Sequence, residues 1–348
     1  MSRGPQRRGF AAAALSALAL GGAVCSWSAD RNCPGPSVLS KQGIDPVSAV
    51  ALQMPAIVTI MAVRAGGEQP AFDDEFRMPL RASVWHRASG SGFVMSADGY
   101  ILTSAHLVAG ASETSVTDAD QHRHRANIVG VDRLTDVAVL KIAATTLPVA
   151  PVGSSARLCP GEWVAAIDSP FGLENSLSAG VVSAFPRFLP GAYGVALIQV
   201  DVPLNTGSSG GPLFKARGEI VGMNSLGHTS KGGFSGVSFA LPIDTVLKVA
   251  AELRSAGRVT RGQIGARTQA ITAELAQAFG LDGDAGVLIV RVDPGGPAAV
   301  AGLRSGDVVL GVDGKPTMGY AEIQDRVAAA RPANSLILSI WRHQTRSQ

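Results

Sequence analysis

The run Asn205-Thr206-Gly207-Ser208-Ser209-Gly210-Gly211-Pro212-Leu213 is an expensive choice for packing alone. Glycine costs conformational entropy wherever it stands, so three of them around Ser208-Ser209 mark a backbone that needs unusual dihedrals or close approach. An acyl-transfer nucleophile has that need. Its hydroxyl must protrude, and backbone N–H groups must converge where an oxyanion forms. Such a serine requires a base, and the chain holds only six histidines. One of them, His106, closes the run Gly99-Tyr100-Ile101-Leu102-Thr103-Ser104-Ala105-His106. Further on, Asp136 opens the apolar run Val137-Ala138-Val139-Leu140-Lys141-Ile142.

The order His106, Asp136, Ser209 is the chain order of a chymotrypsin-type triad. In that scheme the imidazole takes the serine proton, and the carboxylate fixes its tautomer and stabilises the imidazolium. The flanking residues predict the elements that hold these groups. Ala97-Asp98-Gly99 reads as a turn, Tyr100–Thr103 as a strand, and the small residues before His106 as a bend. Asp136 stands at the mouth of a strand over 137–142, and Leu197–Val200 and Glu219–Asn224 are strands leading into and out of the serine loop.

Together these segments resemble the HtrA/Deg family of serine proteases. The resemblance is carried by Gly90-Ser91-Gly92-Phe93-Val94, Ile101 to His106, Thr135 to Lys141, Ser169-Pro170-Phe171-Gly172 and Asn205 to Leu213, and it runs from about Ser48 to the C-terminus. It implies a mainly β chain: a chymotrypsin-like double β-barrel followed by an α+β PDZ domain. It also implies that Ser209 is the nucleophile, His106 the base and Asp136 the orienting carboxylate, with the Gly207 and Ser209 amides as oxyanion hole. Two departures stand out. The family usually has Asn immediately before the serine where this chain has Ser208, and Gly-Asn before Pro-Phe-Gly where this chain has Asp168-Ser169.

Further expectations come with the resemblance. Where trypsin-like enzymes carry an acidic specificity residue this chain has Pro203, and the S1 region falls to Asn205, Ser208, Met223, Asn224, Ser225 and Leu226. These are small, apolar or uncharged, which favours cleavage after Val, Ala, Leu or similar residues of unfolded or misfolded proteins. Arg187 falls where the family keeps a regulatory loop arginine. Arg261-Gly262-Gln263-Ile264-Gly265-Ala266 resembles a PDZ carboxylate-binding loop, with Gln263, Ile264, Gly265 and Ala266 as peptide contacts and Ile323 and Val327 on the groove helix facing a C-terminal peptide. The family also implies a homotrimer.

Length and composition set the frame. The chain has 348 residues, 46% hydrophobic and 16% charged, enough for two to three domains with sizeable cores. A net charge of +3 gives no ground for a nucleic-acid partner. Residues 1–28 read as an export signal: Arg3, Arg7 and Arg8 precede the apolar run Phe10 to Val24, with Ser26 and Ser28 as small residues for cleavage. Arg7-Arg8-Gly9-Phe10 is compatible with twin-arginine export as well as the general route, and an uncleaved segment would be a membrane anchor. The compartment expected is the periplasm. Of three cysteines, Cys33 and Cys159 remain to pair there if Cys25 leaves with the signal. No spacing suggests a metal, and no cofactor is called for.

The organisation expected is therefore an export signal or anchor (1–28), a Pro/Gly/Ser-rich linker (29–47), a protease domain (48–257) and one PDZ domain (258–348). Within it, 48–52 reads as a short helix, 56–63, 92–95, 126–132, 163–167, 176–184 and 234–242 as strands, and 64–88 as a polar surface loop. Ile243–Ala256 reads as an amphipathic helix closing the protease domain. In the C-terminal part, 286–292 and 305–315 read as strands and turns, and 297–302 and 320–330 as helices. Two other readings share these residues: a protease-silent, chaperone-like binding protein, kept open by Ser208 and Asp168, and a membrane-tethered regulatory protease with one narrow substrate.

Overall fold

The computed structural model describes residues 46–72, 79–169, 176–189, 195–225, 234–283, 286–317, 319–330, 334–343 and 345–347. The export segment, most of the linker, Pro170-Phe171-Gly172 and Leu226 lie outside them. Among the described residues no helix is long and apolar enough to cross a membrane.

After a short helix α1 (Pro46–Ala51), seven strands form the first antiparallel sheet: β1 (Ile57–Phe72), β2 (Pro79–Ser96), β3 (Tyr100–Ser104), β4 (Glu113–Thr117), β5 (Arg123–Arg125), β6 (Asn127–Asp132) and β7 (Val137–Lys141), with α2 (Ala105–Val108) after β3. Their order is β5-β4-β1-β2-β3-β7-β6. A second set, β8 (Trp163–Asp168), β9 (Ser176–Arg187), β10 (Leu197–Val200), β11 (Pro212–Lys215), β12 (Ile220–Asn224) and β13 (Ser238–Pro242), closes into a barrel.

Strands β7, β8 and β12 read as nearly continuous apolar runs because each is buried on two faces. On β7, Ala138 and Leu140 point into the core of the first sheet, while Val137 and Val139 point into a core shared with the second. On β8, Val164 and Ala166 fill the barrel, while Ala165 and Ile167 face the shared core. Helix α3 (Ile243–Ala256) lays Ile243, Val246, Val249, Ala250 and Leu253 on that shared core and stops at Gly257, whose φ is +67°. A two-residue period thus divides one strand between its own sheet and the seam between sheets.

The C-terminal part holds β14 (Ala266–Ala270), α4 (Ala273–Phe279), β15 (Val287–Val292), α5 (Pro297–Val300), β16 (Val308–Val312), β17 (Lys315–Pro316), α6 (Tyr320–Ala329), β18 (Leu338–Arg342) and β19 (Thr345–Ser347). The sheet order is β14-β15-β16-β18-β19, with β17 paired to β16.

Several expectations are corrected. Residues 64–88 are not a plain loop: β1 and β2 continue as a hairpin with Ala65 opposite Trp85 and Phe72 opposite Pro79, around a register shift between Ala65 and Glu68. The polar composition concealed it, because a two-stranded ribbon beyond a sheet needs no apolar alternation. The last barrel strand begins at Ser238 rather than at residue 234. Strands β4, β5, β11, β14, β18 and β19 and helix α4 went unread, being short or carrying mixed polar residues. Arg187 is the last residue of β9, opposite Leu197, rather than a loop residue.

Candidate active site

The site is built at the seam. Asp136, just before β7, has a φ of +58°, a left-handed conformation that aspartate tolerates better than most residues. The turn aims its carboxylate back at α2. Oδ1 accepts the His106 backbone N–H at 2.8 Å, and Oδ2 lies 2.8 Å from His106 Nδ1. The Ala105 N–H in turn donates to Asp136 O at 3.0 Å. With the carboxylate at Nδ1, the proton belongs there and Nε2 is the basic nitrogen. From the second barrel, the Ser225 hydroxyl donates to Asp136 Oδ2 at 3.3 Å. The imidazole is 43% exposed, open to an approaching substrate.

Ser209 sits on the barrel side, between the Asn205 turn and β11. Gly210 N–H donates to Asn224 O at 2.8 Å, and Asn224 N–H donates to Gly211 O at 2.7 Å, so β12 grips the loop from both sides. Gly207 and Gly210 have φ of +103° and +86°. At Gly210 a side chain is excluded twice over, since a Cβ there would lie 2.3 Å from Ser91 O and 2.8 Å from Ser104 N. That contact brings the serine loop against the end of β3, which runs straight into His106. Gly90 has the same role from the other side: a Cβ there would meet both the Leu107 side chain and Ser209 O.

Two residues that the sequence did not assign hold this arrangement. Ser91, fully buried on β2, donates its N–H to Ser209 O at 2.9 Å and its hydroxyl to Gly207 O at 2.7 Å. The same hydroxyl accepts the Ser169 N–H at 2.9 Å, and Thr103 donates to Ser91 O at 2.7 Å. Ser91 lies inside the Gly90-Ser91-Gly92 segment that carried part of the resemblance, which was the signal available. Arg64 on β1 caps α2, donating from Nε to Ala109 O at 3.0 Å and from Nη2 to the carbonyls of Leu107 and His106. Nothing in the sequence marks it.

The two departures from the family pattern meet. Ser208 is fully buried, accepts the Asn205 N–H at 3.2 Å and donates its hydroxyl to Asp168 at the end of β8. Burial pushes the Asp168 carboxyl up to about 6, with the Ser208 hydrogen bond pulling the other way. Of the other expected S1 residues, Met223, Asn224 and Ser225 are fully buried and Asn205 is half-buried.

In the C-terminal module Gln263 is exposed, and Ile264, Gly265 and Ala266 are half-buried. Gly265 has a φ of +69° and its carbonyl accepts from Asp293, while Ile264 O accepts from Ala298. Ile323 and Val327 do not stand on an open groove. They are 2% and 9% exposed and pack with Ile289, Val309, Val312 and Ile340. The apolar stripe of α6 is the stripe that attaches the helix to its sheet, and period alone does not separate that use from ligand contact. Arg187 donates from Nε to Gln199 Oε1 at 2.8 Å on the neighbouring strand. Arg261 spans the two parts of the chain, donating from Nη1 to Asp132 Oδ1 at 2.8 Å. Burial raises the Asp132 carboxyl, but Arg261 and the Thr135 hydroxyl outweigh it and hold it below the usual range. A cleft of about 270 Å³ lined by Phe279, Arg304, Asp307, Trp341 and Arg342 shares no residue with the triad region. Cys159 is disulfide-bonded.

Comparison with known proteins follows the same division. Residues 90–223 match the family model of the trypsin-like peptidase domain, and residues 288–342 that of the PDZ domain. A probable periplasmic serine endoprotease DegP-like from Halomonas elongata is 46% identical over 275 residues, covering 78% of this chain and 58% of the relative. One of the same description from Pseudomonas fulva is 46% identical over 257 residues, covering 74% of this chain and 54% of the relative. The chain spans little more than half the length of these curated relatives. Among solved structures, an HtrA-type protease AlgW with decapeptide superposes with a TM-score of 0.72 at 33% identity, covering 87% of this chain and 96% of that one. The serine endoprotease from Yersinia pestis gives 0.61 at 32% identity, covering 87% and 94%. Matching solved HtrA-type proteases at this identity and almost end to end, the chain belongs to the HtrA-type serine protease family.

Proposed function

We propose that this chain is a periplasmic serine endopeptidase that cleaves unfolded or misfolded proteins. The observation that carries the reading is the carboxylate–imidazole pair of Asp136 and His106, set beside a serine loop that Ser91 and β12 hold by backbone hydrogen bonds. As Ser209 Oγ bonds to the scissile carbonyl carbon, its proton passes to His106 Nε2, while Nδ1–H stays on Asp136. The carbonyl oxygen takes up the negative charge and accepts from the amides of Gly207 and Ser209. Collapse breaks the C–N bond, and His106 gives its proton to the departing amine. Water then attacks the acyl-enzyme with the same base and restores the Ser209 hydroxyl.

An uncharged S1 region favours small or medium apolar residues at the cleavage site. A module that matches PDZ domains favours C-terminal peptides as ligands at Gln263–Ala266, with Arg187 relaying to the active site. The domain limits proposed are 48–257 for the protease and 258–348 for the PDZ domain, and the assembly is a homotrimer.

Digestion of casein by the purified protein, alongside Ser209→Ala, tests the core of this reading. The native protein is expected to degrade casein, and the variant to lose at least a thousandfold in rate. A variant as active as the native protein removes Ser209 from its role. No digestion by either, with or without an apolar C-terminal peptide, favours a binding protein instead.

A further inference from the structure

The two positions at which this chain departs from its family's pattern are forty residues apart in sequence and in contact in space. Asp168 ends β8, and Ser208 precedes the nucleophile. Both side chains are interior, at 2% and 0% exposure. The Ser208 hydroxyl stands in a relay. It accepts the Asn205 N–H at 3.2 Å and passes its own proton toward the Asp168 carboxylate. The Ser208 N–H closes the same turn on Asn205 O at 2.8 Å. That turn carries Gly207, and it ends at Ser209. Asp168 also flanks the loop directly, since a Cβ on Gly211 would lie 3.1 Å from both Asp168 Cβ and Ser91 Cβ.

We propose that Asp168 is a positioning residue for the proposed proteolysis: its ionised carboxylate orients the Ser208 hydroxyl, which fixes the Asn205–Ser208 turn and with it the amides of Gly207 and Ser209. An ionised acceptor makes the stronger, more directional bond. With a proton on Asp168, the oxygen facing Ser208 is only a neutral acceptor, and the bond loses its charge assistance. The relay then loosens.

The carboxyl titrates where this matters. Burial lifts it from 3.8 to about 6, and only burial and Ser208 act on it. Among the described residues, the groups placed around it are uncharged: Ser91 from β2, Ser176 opposite on β9, Ser208 and Gly211 from the loop, and Thr59 of β1 through Ser169. Oδ2 finds no partner among the described residues. Because the folded carboxyl keeps its proton up to about pH 6 and an unfolded aspartate gives it up near 3.8, folding is most stable below 3.8. It weakens as pH rises to about 6 and is flat above. A carboxylate kept in the interior against its own stability, beside a nucleophile, fits a residue retained for function.

The proposal rests on the proteolytic reading, and its test separates the two. In the first arm, kcat and KM of native protein and Asp168→Asn are measured on a chromogenic apolar peptide from pH 5 to 8. The ratio of native to variant kcat is expected to be about tenfold at pH 8 and to fall toward one at pH 5, with KM within about twofold. Taking the ratio cancels pH effects common to both proteins. In the second arm, Ser208→Ala is expected to lose kcat equally, and the double variant no more than the worse single one. The third arm needs no activity: in a Ser209→Ala background, Asp168→Asn is expected to raise the unfolding temperature at pH 8 but not at pH 4. A kcat ratio that stays flat across pH, or losses that add in the double variant, overturn the positioning role even where the third arm shows the expected shift. An inactive native protein whose third arm behaves as expected fails the proteolytic reading, and with it the positioning role of Asp168.

Discussion

The two halves of the proposed active site are held by opposite means. The histidine half lies at the surface. His106 is 43% exposed, its helix is one turn long, and its geometry depends on side chains reaching in: Asp136 to the ring and Arg64 to the helix carbonyls. The serine half lies in the interior. Ser208 is fully buried and Ser209 is 3% exposed, and the loop is gripped mainly by backbone groups of Ser91 and Asn224 across glycines that admit no side chain. The base must turn and exchange protons with substrate and water. The oxyanion donors must stay put while charge develops in front of them. The difference predicts that the two halves separate activity from stability in different proportions.

The largest effect expected is on the exposed half. Asp136→Asn keeps the shape but presents an amide to Nδ1, so the imidazole adopts the wrong tautomer, and kcat should fall by about ten-thousandfold. Asp136 is reached by solvent, so thermal unfolding should shift little. A large stability loss together with the activity loss would dissolve the distinction drawn above.

The buried half should behave otherwise. Ser91→Ala removes one hydroxyl from between Gly207 O and Ser169 N–H and leaves two interior backbone groups without that partner. We expect a loss of about 2 kcal/mol in denaturant unfolding, together with a fall in kcat as the oxyanion turn slackens. Unchanged stability would mean that the loop is held by something other than Ser91.

The smallest effect is expected at Arg64. Arg64→Ala uncaps α2 and should cost about 1 kcal/mol and a few-fold in kcat, since the Asp136 contacts to the same turn remain. Rescue by Arg64→Lys would be partial, because one ammonium cannot reach carbonyls of three residues in the way a guanidinium does. A kcat loss as large as that of Asp136→Asn would show that the cap, rather than the carboxylate, sets the imidazole.

Much of this was legible before any coordinates. Strands β3, β7, β8, β10 and β12 and helix α3 announce themselves because they are predominantly apolar stretches, several of them bounded by turn residues. The residues of the proposed triad could be named from sequence because nucleophile, base and carboxylate have few substitutes. The 64–88 hairpin was not, since its pairing is made by backbone groups that composition does not reveal. That Ile323 and Val327 pack in the module's own core was not legible for a related reason: an apolar stripe on a helix looks the same whether it meets its own sheet or a peptide.

The sequence by itself determined which groups are present and their order along the chain: His106, Asp136, Ser209 and the glycines that let Ser209's loop take its shape. Local chemistry is enough for that, because glycine dihedrals, strand alternation and a nucleophile's needs are properties of short stretches. Only the tertiary structure decided that Ser91 ties Gly207 to Ser169, that Arg64 caps the histidine's helix, and that Asp168 and Ser208 form a buried pair. Those contacts join residues far apart in the chain, and that of Ser91 crosses the seam between the two sheets; their energy comes from burial and hydrogen bonding that no single stretch contains.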